Sequence, residues 1–175
     1  LVYWPISEKQ APLSDFAIEQ LNSYMANGGT LLIDTRDRQS GSLGNSGTHQ
    51  LRRLAAGLSV PALEQLPPGH VLGKSFYLLN EFPGRWRGNS LWVEAPGSKV
   101  NDGVSSIVVG GNDWAAAWAM NDRGGPAFPI GRGFAGERQR ELAYRFGINL
   151  IMHVLTGNYK SDQVHVPALL DRLGQ

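Results

Sequence analysis

The chain has 175 residues, a formal net charge of +1 and no cysteine. With 42% hydrophobic and 18% charged residues it is too apolar for a disordered chain and long enough for one domain with its own core. Charge alone draws it neither to nucleic acid nor to an anionic membrane, and the missing cysteine excludes thiol nucleophiles, thiolate zinc sites and disulfides while leaving the redox compartment open.

The run LVYWPI at the start is short, apolar and ends in proline, which predicts a buried strand. It follows no initiator methionine or signal-peptide pattern, and no apolar run reaches the roughly 18 residues of a bilayer span. These features predict an excised soluble domain, any membrane anchor lying outside this chain. Residues 12–29 (PLSDFAIEQLNSYMANGG) then predict a helix with Ser14 as N-cap and Asp15 at its positive end. Ala17, Ile18, Leu21, Tyr24 and Met25 give it one apolar stripe, and Gly28 and Gly29 can take the left-handed conformation that stops it. TLLID returns as a second strand, so strand, helix and strand form a βαβ unit with a parallel crossover.

HQLRRLAAGL predicts a short helix, and PALEQLPPG a turn-rich connection. HVLGKSFYLL and SLWVEA read as strands on either side of the loop NEFPGRWRGN. VSSIVVGG is another buried β run that opens into NDWAAAWAM, where Asn112 or Asp113 caps a helix bearing Trp114 and Trp118. The glycine- and proline-laden NDRGGPAFPIGRGFAG is a loop. The longest helix, ERQRELAYRFGINLIMHVLTG, carries Glu137, Glu141 and Arg145 on a solvated face, and from Leu142 onward its apolar residues nearly encircle it, predicting a buried second half. The ending from residue 158 reads as an extended arm with a short helical turn after Pro167. The sum is an α/β fold, a three-layer α/β/α sandwich of flavodoxin-like type with a mostly parallel sheet.

In such sheets ligands collect beyond the carboxyl ends of the strands. Two junctions qualify: Asp34, Thr35, Arg36 and Asp37 after TLLI, and Asn112 and Asp113 after SSIVVGG. If their strands are neighbours, the polar ends converge on one crevice for a small polar ligand. The other reading is structural, Asp34 and Asp113 capping loops or pairing with Arg36. His70, at the start of an expected strand, is the best candidate general base if there is chemistry. His49, His70, His153 and His165 show no metal-ligand spacing, so no metal and no cofactor is expected. His153 lies one turn after Asn149 on the last helix, which predicts a satisfied core polar pair.

Three apparent motifs fail. GHVLGKS lacks the spacing and the following helix of a phosphate-binding loop. GNSGT is not a nucleophile elbow. GRGFAG matches G-x-G-x-x-G but follows no strand and precedes no acidic residue at the dinucleotide distance, leaving at most an anion site near Arg132 and Arg138. Phe76, Tyr77, Phe82, Trp86 and Trp92 are mostly core by type. Trp86, flanked by Arg85 and Arg87 in a Pro-Gly loop, is the candidate anchor for a carbohydrate or a protein partner.

The strings YWP, GGTLLIDTRD, SFYLLNEFPGRW, NDWAAAWA, QRELAYRFGINL and LTGNYKSDQVHVPALL together resemble the bacterial domain-of-unknown-function family 4159, which is grouped with the class I glutamine amidotransferase-like fold. The resemblance implies the carboxyl-terminal part of a longer protein whose amino-terminal regions contain membrane segments. Active class I amidotransferases hold a cysteine on a sharp strand-to-helix turn. None is present here, so glutamine hydrolysis through a thiol is excluded. The expectation is therefore a non-catalytic binding or scaffolding domain of a membrane-associated bacterial protein. Its alternative is a cysteine-independent hydrolase in which Asp34, Asp37 or Asp113 activates water with His70 assisting, around a hard cation if one is held.

Overall fold

The computed structural model describes residues 1–37, 46–88, 90–96 and 104–156. The chain runs β1 (Val2–Pro5), α1 (Asp15–Ala26), β2 (Leu31–Asp34), α2 (Ser46–Leu54), β3 (Leu63–Gln65), a 3-10 turn (Val71–Gly73), β4 (Trp92–Glu94), β5 (Ile107–Gly110), α3 (Trp114–Trp118) and α4 (Gly133–Thr156). This is a mixed α/β fold around a five-stranded sheet of order β1-β2-β5-β4-β3. β1, β2 and β5 are parallel, with Asp34 in register with Pro5 on one side and Gly110 on the other. β4 and β3 continue the sheet antiparallel.

The local chemistry explains the βαβ unit. Ser14 Oγ accepts the Ala17 amide at 3.2 Å and starts α1. Gly28, at φ 93°, ends it, while Gly29 keeps an ordinary φ and is required instead by the Tyr24 ring, which an added Cβ would overlap. Every residue of β2 is buried. Leu31 and Ile33 join Ile6, Met25, Leu54 and Ile107 in one apolar cluster, together with Leu21 and Tyr24 of α1 and Leu51 of α2. Leu32 joins Val93, Val108, Trp114, Phe146 and Leu150 in another, with Leu142 and Val154 of α4 packed against it. Because successive side chains of a strand point to opposite faces, these are the two cores of the two sheet faces.

Several elements differ from the sequence expectation. The connection at 61–69 contains β3, whose pairing of Leu63 with Glu94 and Gln65 with Trp92 comes from β4, a distant partner that local turn residues do not announce. Residues 70–79 are not a strand: His70 Nδ1 accepts the Leu72 amide at 3.1 Å and caps the 3-10 turn. Asn149 then takes over the hydrogen bonding that a sheet would supply. Its Oδ1 accepts the amides of Phe76 (3.2 Å) and Tyr77 (2.7 Å), and its Nδ2 donates to the carbonyls of Leu72 (2.9 Å) and Tyr77 (2.8 Å).

Asn149 is thus fully satisfied, but not by His153. The expected polar pair does not form: both ring nitrogens of the fully buried His153 lack a hydrogen-bond partner, and its ring stands edge-on to His70 at 5.9 Å between centroids. α4 also begins four residues earlier than expected, inside the glycine-rich loop. Its second half is buried on one side only. Phe146, Leu150 and His153 face the core, whereas Ile148, Ile151 and Leu155 are 40%, 50% and 74% exposed, because a helix lying on a sheet is covered along a single stripe. The arm and turn expected at 158–175, and the loop residues 38–45 after Asp37, fall outside the described residues.

Candidate functional site

β2 and β5 are neighbours, so the two polar junctions meet at the carboxyl end of the parallel strands. At their centre is Asp34, which has no solvent exposure. Its Oδ1 accepts the amides of Arg36 and Asp113, each at 3.2 Å, and its Oδ2 accepts the Trp114 amide at 2.9 Å and the Tyr3 hydroxyl at 2.7 Å. The Tyr3 oxygen in turn accepts the Ala115 amide at 3.2 Å. The first amides of α3, which have no partner within the helix, are therefore capped by side chains from β1 and β2.

The two residues whose amides share Oδ1 are also the only non-glycine residues with positive φ among those described: Arg36 at 50° and Asp113 at 54°. Left-handed backbone costs a non-glycine residue about 1–3 kcal/mol and persists where its surroundings hold it, a condition concentrated at functional sites. Here one carboxylate oxygen holds both. The Arg36 guanidinium is directed back onto the Ile6 carbonyl, with Nε at 3.0 Å. Thr35 is tied to β5 through its amide, 2.7 Å from the Gly110 carbonyl, and its hydroxyl lies 2.6 Å from Asp37 Oδ2.

The loop that carries Arg85 and Trp86 is latched onto this strand end. Asn112 Nδ2 donates to the Phe82 carbonyl at 2.9 Å, the Trp86 amide donates to the Asn112 carbonyl at 2.9 Å, and the Arg85 amide reaches the Asp113 carbonyl at 3.2 Å. Gln139 of α4 closes the latch, its Nε2 donating to the carbonyls of Gly84 (2.9 Å) and Arg85 (3.0 Å). Gly84 is obligatory here, since a Cβ would overlap the Asn112 carbonyl. The Arg85 guanidinium lies over the Trp86 ring at 4.9 Å and the Phe128 ring at 5.5 Å, with Asp113 Oδ2 3.9 Å away. Arg85 Nε and Trp86 Nε1 are buried without a hydrogen-bond partner.

Burial pushes the carboxyls of Asp34 and Asp113 above their usual range, opposed at Asp34 by its four donors and at Asp113 by the charges of Arg36 and Arg85. Burial and the Asp34 charge raise the Tyr3 phenol, which stays a protonated donor. Asp34, Thr35, Arg36, Asp37, Asn112, Asp113, Arg85 and Trp86 are thus assembled in one place. Arg87 turns to the surface and pairs with Glu81 at 3.3 Å. His70 stands apart, with its ring against His153 and a pocket of about 370 Å³ bounded by His70, Lys74, Leu79 and Phe82. Among the described residues no group of three or more His, Asp or Glu side chains is placed to hold a metal ion, and no helix is long and apolar enough to cross a membrane.

Sequence reasoning did not find Tyr3, Gln139 and Phe128. Gln139 had a signal, because it is a polar residue on the buried stripe shared with Ala143, Phe146 and Leu150. Tyr3 had none, since its partner lies 31 residues away.

The sequence profile of the family described as Domain of unknown function (DUF4159) matches residues 1–155. The chain belongs to this family. The matched region of this DUF4159 domain contains every residue of the site and stops just before the end of α4. No curated protein matches the sequence.

The strain at Asp113 in the DUF4159 chain is directly testable. Asp113 makes no side-chain cap to α3. Asp113→Gly is expected to leave stability within about 1 kcal/mol of the parent, because glycine adopts this backbone freely. Asp113→Val is expected to cost more than about 2 kcal/mol, because a β-branched side chain does not tolerate it. Urea unfolding of both variants checks the pair, and equal losses would mean that the backbone at 113 stores no strain.

Proposed function

We propose that this chain is a non-catalytic binding or scaffolding domain whose recognition surface is the strand-end site, and that its ligand is a small polar molecule rich in hydrogen-bond acceptors. One observation carries the reading: a single buried carboxylate oxygen, Asp34 Oδ1, holds two charged residues in left-handed backbone at the ends of adjacent parallel strands. Such an arrangement costs stability and presets the positions of Arg36 and Asp113, as a preorganised binding site requires. The buried nitrogens Arg85 Nε and Trp86 Nε1 supply the ligand chemistry, because donors in that condition favour an acceptor.

The wider reading follows the resemblance. The two-faced sheet fits a three-layer, flavodoxin-like sandwich of the class I glutamine amidotransferase-like kind, lacking the nucleophilic cysteine. In that reading residues 1–175 are one domain, the carboxyl-terminal part of a membrane-associated bacterial protein. The alternative hydrolase needs His70 beside the aspartates. It takes second place because the His70 ring faces His153 while the Asp34 carboxylate is spent on backbone amides.

The test is a thermal-shift screen of carboxylates, phosphates, sugars and amino acids against the parent chain and Arg85→Ala. A ligand at a hundred times its Kd is expected to stabilise the parent by about 2.7 kcal/mol. The shift should vanish in Arg85→Ala. A screen without a stabilising compound, or a shift that survives the substitution unchanged, counts against the site.

A further inference from the structure

The hollow of about 370 Å³ beside His70 is lined by none of the side chains assembled at the strand-end site. Part of its wall is PPGHVLGKS at 67–75, the stretch that fails as a phosphate-binding loop. Pro68 and Gly69 form the centre of a turn closed by the His70 amide on the Pro67 carbonyl at 3.2 Å, with Gly69 at the φ of 78° that the third position of such a turn requires. This turn presents the His70 ring. The rest of the wall is fastened from behind: Asn149 binds Leu72, Phe76 and Tyr77, and the Leu79 amide closes on the Gly73 carbonyl at 2.7 Å. The pocket is therefore shaped before any ligand arrives.

Its polar groups have a defined sense. Nδ1 of His70 accepts the Leu72 amide at 3.1 Å, so the proton of the neutral ring sits on Nε2. Among the described residues Nε2 has no partner, and unlike both nitrogens of His153 it is open to solvent. Lys74 stands on the same wall, its charge close enough to help lower the His70 pKa. Glu64 of β3 acts on the ring in the opposite sense but does not line the pocket. Leu66, Leu79 and Phe82 give the hollow an apolar body.

We propose that this pocket is a second ligand site, independent of the strand-end site, and that it takes a small monocarboxylic acid with an apolar body. One carboxylate oxygen accepts from His70 Nε2 beside the Lys74 charge, and the hydrocarbon lies against Leu66, Leu79 and Phe82. Small-molecule sites are of this kind, mostly apolar with a few placed polar groups and about 300–1,000 Å³ in volume. One imidazole donor and one cation match a carboxylate, whereas a phosphate is held by a cradle of several amides. At about 30 Å³ for each water the hollow equals about a dozen waters, which is room for about ten non-hydrogen atoms.

The test titrates hexanoate, octanoate and 3-phenylpropionate into the 175-residue chain, followed by backbone-amide and histidine-ring NMR signals. The uncharged 3-phenylpropanamide, of the same shape, is the comparison. At least one acid is expected to bind with a Kd on the order of 1 mM or tighter and to move the signals of residues 66–82, and the carboxamide to bind about tenfold more weakly. A bound carboxylate favours the imidazolium, so the His70 pKa should rise and, by linkage, the acid should bind about threefold tighter at about pH 6 than at about pH 8. The other titratable groups acting on the ring are Glu64, Lys74 and, on α4, His153, whose pKa of about 4 lies below that window.

His70→Asn keeps a side-chain acceptor for the Leu72 amide and loses the Nε2 donor, so it should weaken binding about tenfold, and Lys74→Met about threefold. No binding by any of the three acids at about 10 mM, equal binding of the carboxamide, or parent-like affinity in His70→Asn overturns the proposal. Binding that moves the signals of Arg36, Trp86 and Asp113 instead overturns it in favour of the strand-end site.

Discussion

Asp34→Ala is expected to lower the unfolding free energy by about 4 kcal/mol and the melting temperature by about 10 °C. The substitution removes the acceptor of four donors: the amides of Arg36, Asp113 and Trp114 and the hydroxyl of Tyr3. Each buried donor left without a partner costs about 1–3 kcal/mol, and water entering the space left by the carboxylate recovers part of that. A loss of this size is a large share of the roughly 5–15 kcal/mol that holds a domain folded.

The graded variants separate the contributions. Asp34→Asn keeps one oxygen but turns an NH₂ group toward donors, and should fall near half the alanine effect. Tyr3→Phe strips one donor from Asp34 and a side-chain cap from the Ala115 amide, for about 1–2 kcal/mol. Because both side chains serve one network, the double variant should lose less than the sum of the two single losses by at least about 0.5 kcal/mol. An alanine variant that melts within a few degrees of the parent would mean that the carboxylate is not what holds this strand end together.

His153→Leu is the second large effect, in the opposite direction. The imidazole is fully buried and neither ring nitrogen has a hydrogen-bond partner. Burial is the main cause, and the neighbouring His70 a smaller one, that pushes its pKa down from 6.5 to about 4. A histidine kept neutral by the fold contributes full stability above the unfolded pKa near 6.5. That contribution is lost as pH falls toward 4, because the unfolded chain then binds a proton that the folded chain refuses. The loss amounts to about 3 kcal/mol at 1.36 kcal/mol per pKa unit.

His70 is shifted in the same direction by its own burial, with Glu64 opposing and Lys74 adding to the effect, so the parent chain feels both rings. The informative quantity is the difference between parent and His153→Leu at each pH. At neutral pH the leucine is expected to stabilise by about 1–3 kcal/mol, since an unpaired buried polar group is replaced by an apolar one of similar bulk. The advantage should then widen by about 3 kcal/mol between pH 6.5 and 4. Urea titrations at several pH values measure it. A difference that stays flat across that window would place a partner on the His153 ring.

The sequence by itself was enough for what is local. Ser14, Gly28 after α1 and the unbroken apolar run of β2 follow from backbone propensity, capping and burial, and they mark out the parallel half of the sheet with its two polar strand ends. The apolar stripe of α1 was legible for the same reason, since periodicity records which face is covered, whereas the near-encircling apolar residues of α4 predicted a fully buried second half and the fold covers one side of it. Only the tertiary structure decided what depends on distant partners. β3 exists because β4 lies beside it, and residues 70–79 leave the sheet because Asn149, more than 70 residues away, supplies their hydrogen bonds. Asp34 becomes a brace because Tyr3, Asp113 and Trp114 converge on it from other elements. The physical reason is common to all three: a buried polar group takes whatever partner the fold brings to it, and the identity of that partner is written in no local pattern of residues.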